Sequence, residues 1–194
     1  YISAARAQWL ITAFSLVMGV MVLATASLIR RFPNRPLYLT FMGLFCLGLL
    51  LSAAAPSFSV LLIGRILQAL GCGMLLSLTQ VVVLSAYPSE AQGRVMGIYG
   101  LAVSAAPVLA PTLSGIVIDL FGWHMVFWCA LILSGIVWCA GLAFMKNITP
   151  TEAFTFDGLS LALGACGFTG VVLGLGNAGS YGLFTISVLL PLMA

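Results

Sequence analysis

The sequence predicts an all-α, polytopic membrane protein, and two observations carry this prediction. Of the 194 residues, 62% are hydrophobic and only 6% are charged, with a mean hydropathy of +1.22. A soluble domain carries about 25% charged residues, so this chain has too few to cover a water-facing surface. Its apolar residues also fall into runs of about 20, the length that spans a bilayer as a helix. The expected partner is therefore lipid. Nucleic acid is not expected, because the net charge is only +3 and no basic stripe is present.

Six apolar spans and the start of a further one follow one another with short connections between them. Prolines, glycines and polar residues mark the joints, at Pro33, Pro36, Pro56, Pro88, Gly122, Pro150 and Asn177–Gly182. The predicted helices are Gln8–Ile29, Pro36–Ala54, Ser59–Ala86, Val95–Ile118, Met125–Met145 and Gly158–Gly176, with another beginning near Leu183. Because the connections are short, neighbouring helices are expected to run antiparallel.

The positive charges predict the orientation of these spans. Arg30, Arg31 and Arg35 follow the first span, Arg94 follows the third, and Lys146 follows the fifth. These loops lie on one side of the membrane, and short loops rich in Lys and Arg stay in the cytoplasm. The first span would then enter from outside. We therefore expect the chain to lack an upstream first helix and to be part of a larger transporter.

Arg65 is a charge within the third apolar span. A charged side chain at the centre of a membrane helix costs roughly 2.5 kcal/mol or more, so it usually faces protein, a cavity or a substrate. Gln68, Cys72 and Thr79 follow Arg65 at spacings of 3, 4 and 7, and Gln80 flanks this polar stripe. We expect Arg65, Gln68, Thr79 and Gln80 to lie on a substrate or proton pathway. The alternative is a structural arginine satisfied by carbonyl groups of a neighbouring helix.

The fourth span carries small residues and two prolines on one face. They follow one another at spacings of three or four, at Gly97, Gly100, Ser104, Pro107, Pro111 and Gly115. Small residues let helix backbones touch in lipid, and proline bends a helix by removing a backbone donor. The pattern indicates either tight packing with a kink or a pivot in a moving protein.

Residues for catalysis or metal binding are not clustered in the sequence. The five cysteines lie apart in apolar runs, at Cys46, Cys72, Cys129, Cys139 and Cys166, and form neither a CxxC nor a Cys/His pattern. The single histidine lies at a loop, and no pair of acids lies at membrane depth. A membrane enzyme would need such a base, nucleophile or set of ligands. We therefore expect no enzymatic activity, no metal and no cofactor.

Two motifs resemble the major facilitator superfamily, and in particular its fourteen-helix drug:proton antiporters. The stretch Arg65-x-x-Gln68-Ala69-x-Gly71 resembles RxxQGxG in the family's fourth helix, with Ala69 in place of a glycine. The stretch Ala106-Pro107-x-x-Ala110-Pro111-x-x-Ser114-Gly115 resembles the antiporter motif GPxxGG of the fifth helix. Here Ala110 and Ser114 replace two glycines.

Two further stretches follow in the order that the family has. Residues 121–127 resemble the GWRWIF stretch that opens the sixth helix, and Asp157-Gly158 resembles the start of the seventh. The resemblance covers the whole chain. It implies a partial N-terminal transmembrane bundle, family helices two to six, at 1–146. A cytoplasmic linker would follow at 147–157, and the seventh helix with the start of the eighth at 158–194.

The loop after the first span departs from the family pattern, which is roughly DRxGRR. It reads Arg30-Arg31-Phe32-Pro33-Asn34-Arg35, so Arg30 stands in place of the acid and Pro33 in place of the glycine. The resemblance implies a cytoplasmic gating loop that contains Arg30, Arg31 and Arg35. The alternative is that these arginines only anchor the topology at the lipid headgroups.

The resemblance implies a secondary active transporter of the bacterial cytoplasmic membrane that exports small amphipathic or cationic compounds against protons. It would work by alternating access together with the rest of the transporter. Arginine does not titrate, so Arg65 would act on a neighbouring carboxylate or on the substrate. None of the four acids lies well inside a span, so another part of the transporter would carry the proton. The altered motifs leave one alternative, a non-transporting membrane sensor or scaffold that retains the fold.

Overall fold

The computed structural model describes residues 4–147 and 158–181, and all regular secondary structure in these ranges is α-helical. The helices are α1 (Ala4–Arg31), α2 (Asn34–Ala53), α3 (Phe58–Ala86), α4 (Ser89–Phe121), α5 (Trp123–Phe144) and α6 (Gly158–Tyr181). The first five contain segments long and apolar enough to cross a bilayer, with mean hydropathies of 1.8 to 2.2. The predicted all-α polytopic architecture is confirmed. The predicted linker beyond Asn147 and the helix predicted near Leu183 lie outside the described residues.

The largest difference between the predicted and observed helix bounds is at the start of α4. The sequence predicts a start at Val95, whereas the helix begins at Ser89, directly after Pro88. The first turns of α4 are helical although their residues are polar. Glu90 in the first turn carries a negative charge at the positive end of the helix dipole, which is favourable. With 33 residues, α4 is about 50 Å long, more than the roughly 30 Å of a hydrocarbon core. Hydropathy therefore predicts the membrane-spanning part of this helix and not its whole length.

Helix α3 lies at the centre of the packing. It packs most extensively against α2 and α1, α2 packs in turn against α5, and α1 packs against α6. Met74 and Leu78 of α3 are almost completely buried, in a cluster with Met21 and Ile29 of α1 and Leu37 of α2. The polar stripe of α3 is thus carried by the helix that has the most neighbours.

Glycines bring α3 into backbone contact with both neighbours. A Cβ added at Gly48 of α2 would lie 2.6 Å from the carbonyl oxygen of Gly64 and 2.7 Å from the amide nitrogen of Gln68. On another face of α3, a Cβ at Gly73 would lie 2.6 Å from the carbonyl oxygen of Met18 in α1. Such close approach is how helices associate in lipid, where dispersion contacts replace the hydrophobic effect.

Helices α4 and α5 are the least covered part of the described chain, and none of their residues is buried by it. They carry large exposed apolar side chains, such as Leu101, Val108, Leu133 and Phe144. Gly122 joins the two helices with a φ of +84°, a conformation that glycine adopts without strain. The faces of α4 and α5 are therefore suited to contact lipid or further helices.

Candidate functional site

Arg65 lies on α3, and its guanidinium group faces protein groups of α3 and α1. Its Nη1 donates a hydrogen bond to Oε1 of Gln68 at 3.0 Å. Its Cζ lies 4.4 Å from the ring centroid of Phe14 on α1, close enough for a cation–π contact. The charge is half-buried and is stabilised by one polar and one aromatic neighbour. The guanidinium group thus contacts protein groups of two helices, and its place on a substrate or proton pathway stays a prediction.

Gln68 is buried between α2 and α3, with 2% of its surface exposed. Its Nε2 donates to the carbonyl oxygen of Gly48 at 3.0 Å and to Oγ of Ser52 at 2.8 Å. A backbone carbonyl can only accept, so the amide nitrogen must face α2 and the amide oxygen must face Arg65. Gln68 therefore connects Arg65 to two polar groups of α2.

The other residues of the predicted stripe lie further along α3. Thr79 is exposed, and its hydroxyl donates to the carbonyl oxygen of Leu75 in the same helix at 2.7 Å. It is eleven residues, or about 16 Å along the helix axis, from Gln68. Gln80 is exposed and lines a cleft between α1, α3 and α4, away from the contact between Arg65 and Gln68. The structure thus joins Arg65 to Gln68 but separates both from Thr79 and Gln80.

A cleft of about 470 Å³ lies between α1, α3 and α4. It brings Gln80 of α3 together with Gly100 and Ser104 of α4, three residues that the sequence analysis selected from two separate patterns. The remaining lining residues are Val22, Leu76, Ser77, Met96, Tyr99 and Val103. None of these side chains is charged. Most are apolar, and the amide of Gln80 and the hydroxyl groups of Ser77, Tyr99 and Ser104 are the polar groups of the cleft.

The small-residue face of α4 is open in the described part of the chain. A Cβ built at Gly97, Gly100 or Gly115 would meet no atom within 4 Å. Ser114 uses its hydroxyl within the helix, donating to the carbonyl oxygen of Pro111 at 3.1 Å. The helix continues through Pro107 and Pro111. The described helices therefore do not provide the close packing partner that this pattern predicts.

The predicted gating loop connects α1 to α2 and contacts the end of α5. The guanidinium group of Arg35 donates to the carbonyl oxygen of Leu142 at 3.1 Å, and its backbone N–H donates to Oδ1 of Asn147 at 3.0 Å. Asn34 is fully buried, and its Nδ2 lies 3.4 Å from the carbonyl oxygen of Lys146. We call this set of five residues the α2–α5 junction.

The two other arginines of this loop are exposed. The Cζ atom of Arg31 lies 5.6 Å from the ring of its neighbour Phe32. The contact between α2 and α5 continues into the helices, where the Tyr38 hydroxyl donates to the Val137 carbonyl at 3.1 Å. The indole N–H of Trp138 donates to the Leu39 carbonyl at 3.0 Å. The side chain of Arg35 is thus bonded to α5.

Several residues of these sites were not found by sequence reasoning. Ser52 is a small residue near the end of an apolar helix, and Phe14 is one aromatic residue among many apolar ones. Neither carries a periodic signal, because the partner of each lies on another helix. Asn34 after Pro33, and Asn147 after the fifth apolar span, occupy helix ends, where asparagine is a common capping residue. An asparagine close to a helix end was therefore the sequence signal that could have indicated the α2–α5 junction.

Comparison with known proteins identifies relatives along the whole chain. The model of the Major Facilitator Superfamily matches residues 1–193. The uncharacterized MFS-type transporter YcnB of Bacillus subtilis is 40% identical over 192 residues, which are 99% of this chain and 41% of that protein.

Two relatives have names that refer to drug resistance. The lincomycin resistance protein LmrB of Bacillus subtilis is 40% identical over 92% of this chain and 37% of its own length. The multidrug resistance protein Stp of Mycobacterium tuberculosis is 30% identical over 77% of this chain and 28% of its own length. The chain thus spans about two fifths or less of the curated relatives described here.

Proposed function

This chain belongs to the major facilitator superfamily, and from that membership we propose that it is part of a proton-coupled exporter of small amphipathic or cationic compounds. It is a multi-pass protein of a bacterial cell membrane, with five described helices suited to span the bilayer. The names of LmrB and Stp refer to lincomycin and multidrug resistance, which supports export of drug-like compounds. Transport would proceed by alternating access between two helix bundles.

The observation that carries this proposal is the position of Arg65. A charge within an apolar helix is costly, yet here it is half-buried against Gln68 of α3 and Phe14 of α1. Arginine keeps its proton at any physiological pH, so it cannot carry the transported proton. We propose that it raises the acidity of a carboxylate, which then exchanges its proton for the substrate. Among the described residues, Glu90 lies in the first turn of α4 and Asp119 in its last turn, so that carboxylate belongs to another part of the protein.

The cleft between α1, α3 and α4 supports a role in substrate contact. Gln80 and Ser104 offer hydrogen bonds, and the surrounding side chains are apolar, which is the usual character of a small-molecule site. With no charge in its wall, this cleft would hold the apolar part of an amphipathic compound. The positive charge of a cationic compound would be matched elsewhere in the transporter.

The test is export of ethidium and of lincomycin from cells that express the full-length protein. Export should stop when an uncoupler collapses the proton gradient, and Arg65→Ala should abolish it at an unchanged amount of protein in the membrane. Arg94→Ala is the control, since Arg94 is an exposed arginine near the start of α4. If neither compound is exported, or if export continues without the gradient, the proposal is wrong. A non-transporting sensor or scaffold would then be the remaining candidate.

A further inference from the structure

We propose that Ser52 is a positioning residue for Arg65, and that it acts through the side-chain amide of Gln68. The proposal rests on the proposed function, because it assumes that Arg65 takes part in proton-coupled transport. Ser52 lies on α2 and is fully buried, and its Oγ lies 2.8 Å from Nε2 of Gln68. It belongs to none of the sequence motifs that indicate transport.

The first step of the argument concerns the orientation of the Gln68 amide. The amide has an acceptor oxygen and a nitrogen with two hydrogens, and rotation by 180° exchanges them. If rotated, the amide would direct N–H groups at the guanidinium of Arg65, which has only donors, and its oxygen at the carbonyl of Gly48. Both contacts would be repulsive. The Gly48 carbonyl, which can only accept, therefore selects the orientation that presents an acceptor to Arg65, and the Ser52 hydroxyl accepts a second bond from the amide nitrogen in that orientation.

The second step concerns which of the two acceptors is adjustable. The Gly48 carbonyl belongs to the backbone, so it stays whatever the side chain, whereas the Ser52 hydroxyl is a side-chain group. Without that hydroxyl, one N–H of Gln68 would be buried and unpaired, and the amide would gain freedom to rotate away from the bond to Arg65. An unpaired buried donor is costly, so the amide would populate other orientations.

The third step concerns the place of the hydroxyl in the helix interface. A Cβ added at Gly64 would collide with Oγ of Ser52, so the missing side chain of Gly64 makes the space that the hydroxyl occupies. Gly64 directly precedes Arg65. The hydroxyl is thus built into the contact between α2 and the turn of α3 that carries the charge.

The experiment compares Ser52→Ala with Thr25→Val in the full-length protein. Thr25 is the matched control, because its hydroxyl is also buried, at 1% exposure, but donates to the Met21 carbonyl of its own helix. The measurement is the rate of ethidium export across a range of external pH, at equal protein in the membrane. We expect Ser52→Ala to lower the rate about threefold to tenfold, the effect of one lost hydrogen bond. It should also shift the pH at which the rate is half-maximal, whereas Thr25→Val should do neither.

The shift of the pH profile separates positioning from a structural role. A variant that only loosened the helix contact would lower the rate by the same factor at every pH. In a Gln68→Met background, Ser52→Ala should cause no further loss, because the amide through which Ser52 acts has been removed. An equal further loss in that background would overturn the proposal. If Ser52→Ala lowers the amount of folded protein, Gln68→Met tests the same connection, and a wild-type pH profile in that variant would also overturn it.

Failure of this proposal is distinguishable from failure of the proposed function. If the wild-type protein shows no gradient-dependent export, the proposed function is wrong and the role of Ser52 is wrong with it. If the wild type exports, Arg65→Ala does not, and Ser52→Ala keeps the wild-type rate and pH profile, only the role of Ser52 is overturned.

Discussion

Arg35 lies in α2 and bonds to the end of α5, and Asn147 follows α5 and bonds to the start of α2. Oδ1 of Asn147 accepts the backbone N–H of Arg35 in the first turn of α2, and the Arg35 side chain donates to the carbonyl of Leu142 in the last turn of α5. The first N–H groups and last carbonyl groups of a helix lack partners within the helix. Two residues that are 112 positions apart thus cap a pair of neighbouring helices reciprocally.

The first prediction is that the two halves of this junction contribute independently to stability. Arg35→Ala and Asn147→Ala should each lower the free energy of unfolding by about 1 kcal/mol, as for other helix caps. Asn147 bonds to the backbone of residue 35, which alanine retains, so the double variant should show the sum to within about 0.5 kcal/mol. Thermal unfolding of the purified protein in detergent would measure this. Arg31→Ala is the control, and an equal loss in that variant would show that general charge, and not capping, is responsible.

The second prediction concerns the chemistry of residue 65. The Arg65 guanidinium makes one hydrogen bond to Gln68 and stacks on Phe14, and a lysine ammonium can supply both a single bond and a cation–π contact. Arg65→Lys should therefore retain part of the gradient-dependent export, while Arg65→Ala, which supplies neither contact, should abolish it. Export rates at equal expression would test this. A lysine variant as inactive as the alanine variant would show that the planar, multi-donor group itself is required.

The third prediction concerns the contact between α2 and α3. Gly48→Ala would place a Cβ 2.6 Å from a backbone oxygen and 2.7 Å from a backbone nitrogen, neither of which can move independently of its helix. We expect a loss of about 1 to 3 kcal/mol in unfolding free energy, the usual cost of overpacking. Gly93→Ala, where a Cβ meets nothing within 4 Å, is the matched control. Equal stability of the two variants would contradict the close contact.

The fourth prediction concerns the open face of α4. A Cβ at Gly100 would meet no atom within 4 Å and would face the open cleft, so Gly100→Leu should leave the described helices folded. We nevertheless expect loss of export, because leucine would extend over the cleft and against any helix that packs on this face. Gly93→Leu on the same helix is the control. Normal export by Gly100→Leu would show that the face meets neither substrate nor a tightly packed helix.

Hydropathy and breakers predicted the number and approximate position of the described helices, because crossing a bilayer requires long apolar runs. Gly122 was predicted as a joint because glycine commonly interrupts helices. The structure shows that this glycine has a positive φ in the tight connection between α4 and α5. The early start of α4 was not predicted. The turns from Ser89 onward are polar, and a helix that continues outside lipid leaves no hydropathy signal.

The sequence placed Arg65 and Gln68 on one polar stripe of α3, and the structure shows a hydrogen bond between them. It did not show that Gln68 is directed to α2, because the pattern on one helix does not contain the position of a neighbouring helix. Ser52 looked like one more small residue in an apolar run. Its role depends on the missing side chain of Gly64, which is a fact about the fit of two surfaces.

The surroundings of Arg65 also bear on how the chain enters the membrane. Helices are synthesised and inserted in chain order, and Phe14 on α1 and Ser52 on α2 both precede Arg65. With insertion in chain order, the aromatic ring of α1 and the two polar groups of α2 would enter the bilayer before α3. The charged segment can therefore pack against protein groups as it enters the bilayer. In lipid alone, the charge would cost roughly 2.5 kcal/mol or more. The order of the first three helices is in this sense part of the means by which a membrane protein can contain an arginine within an apolar helix.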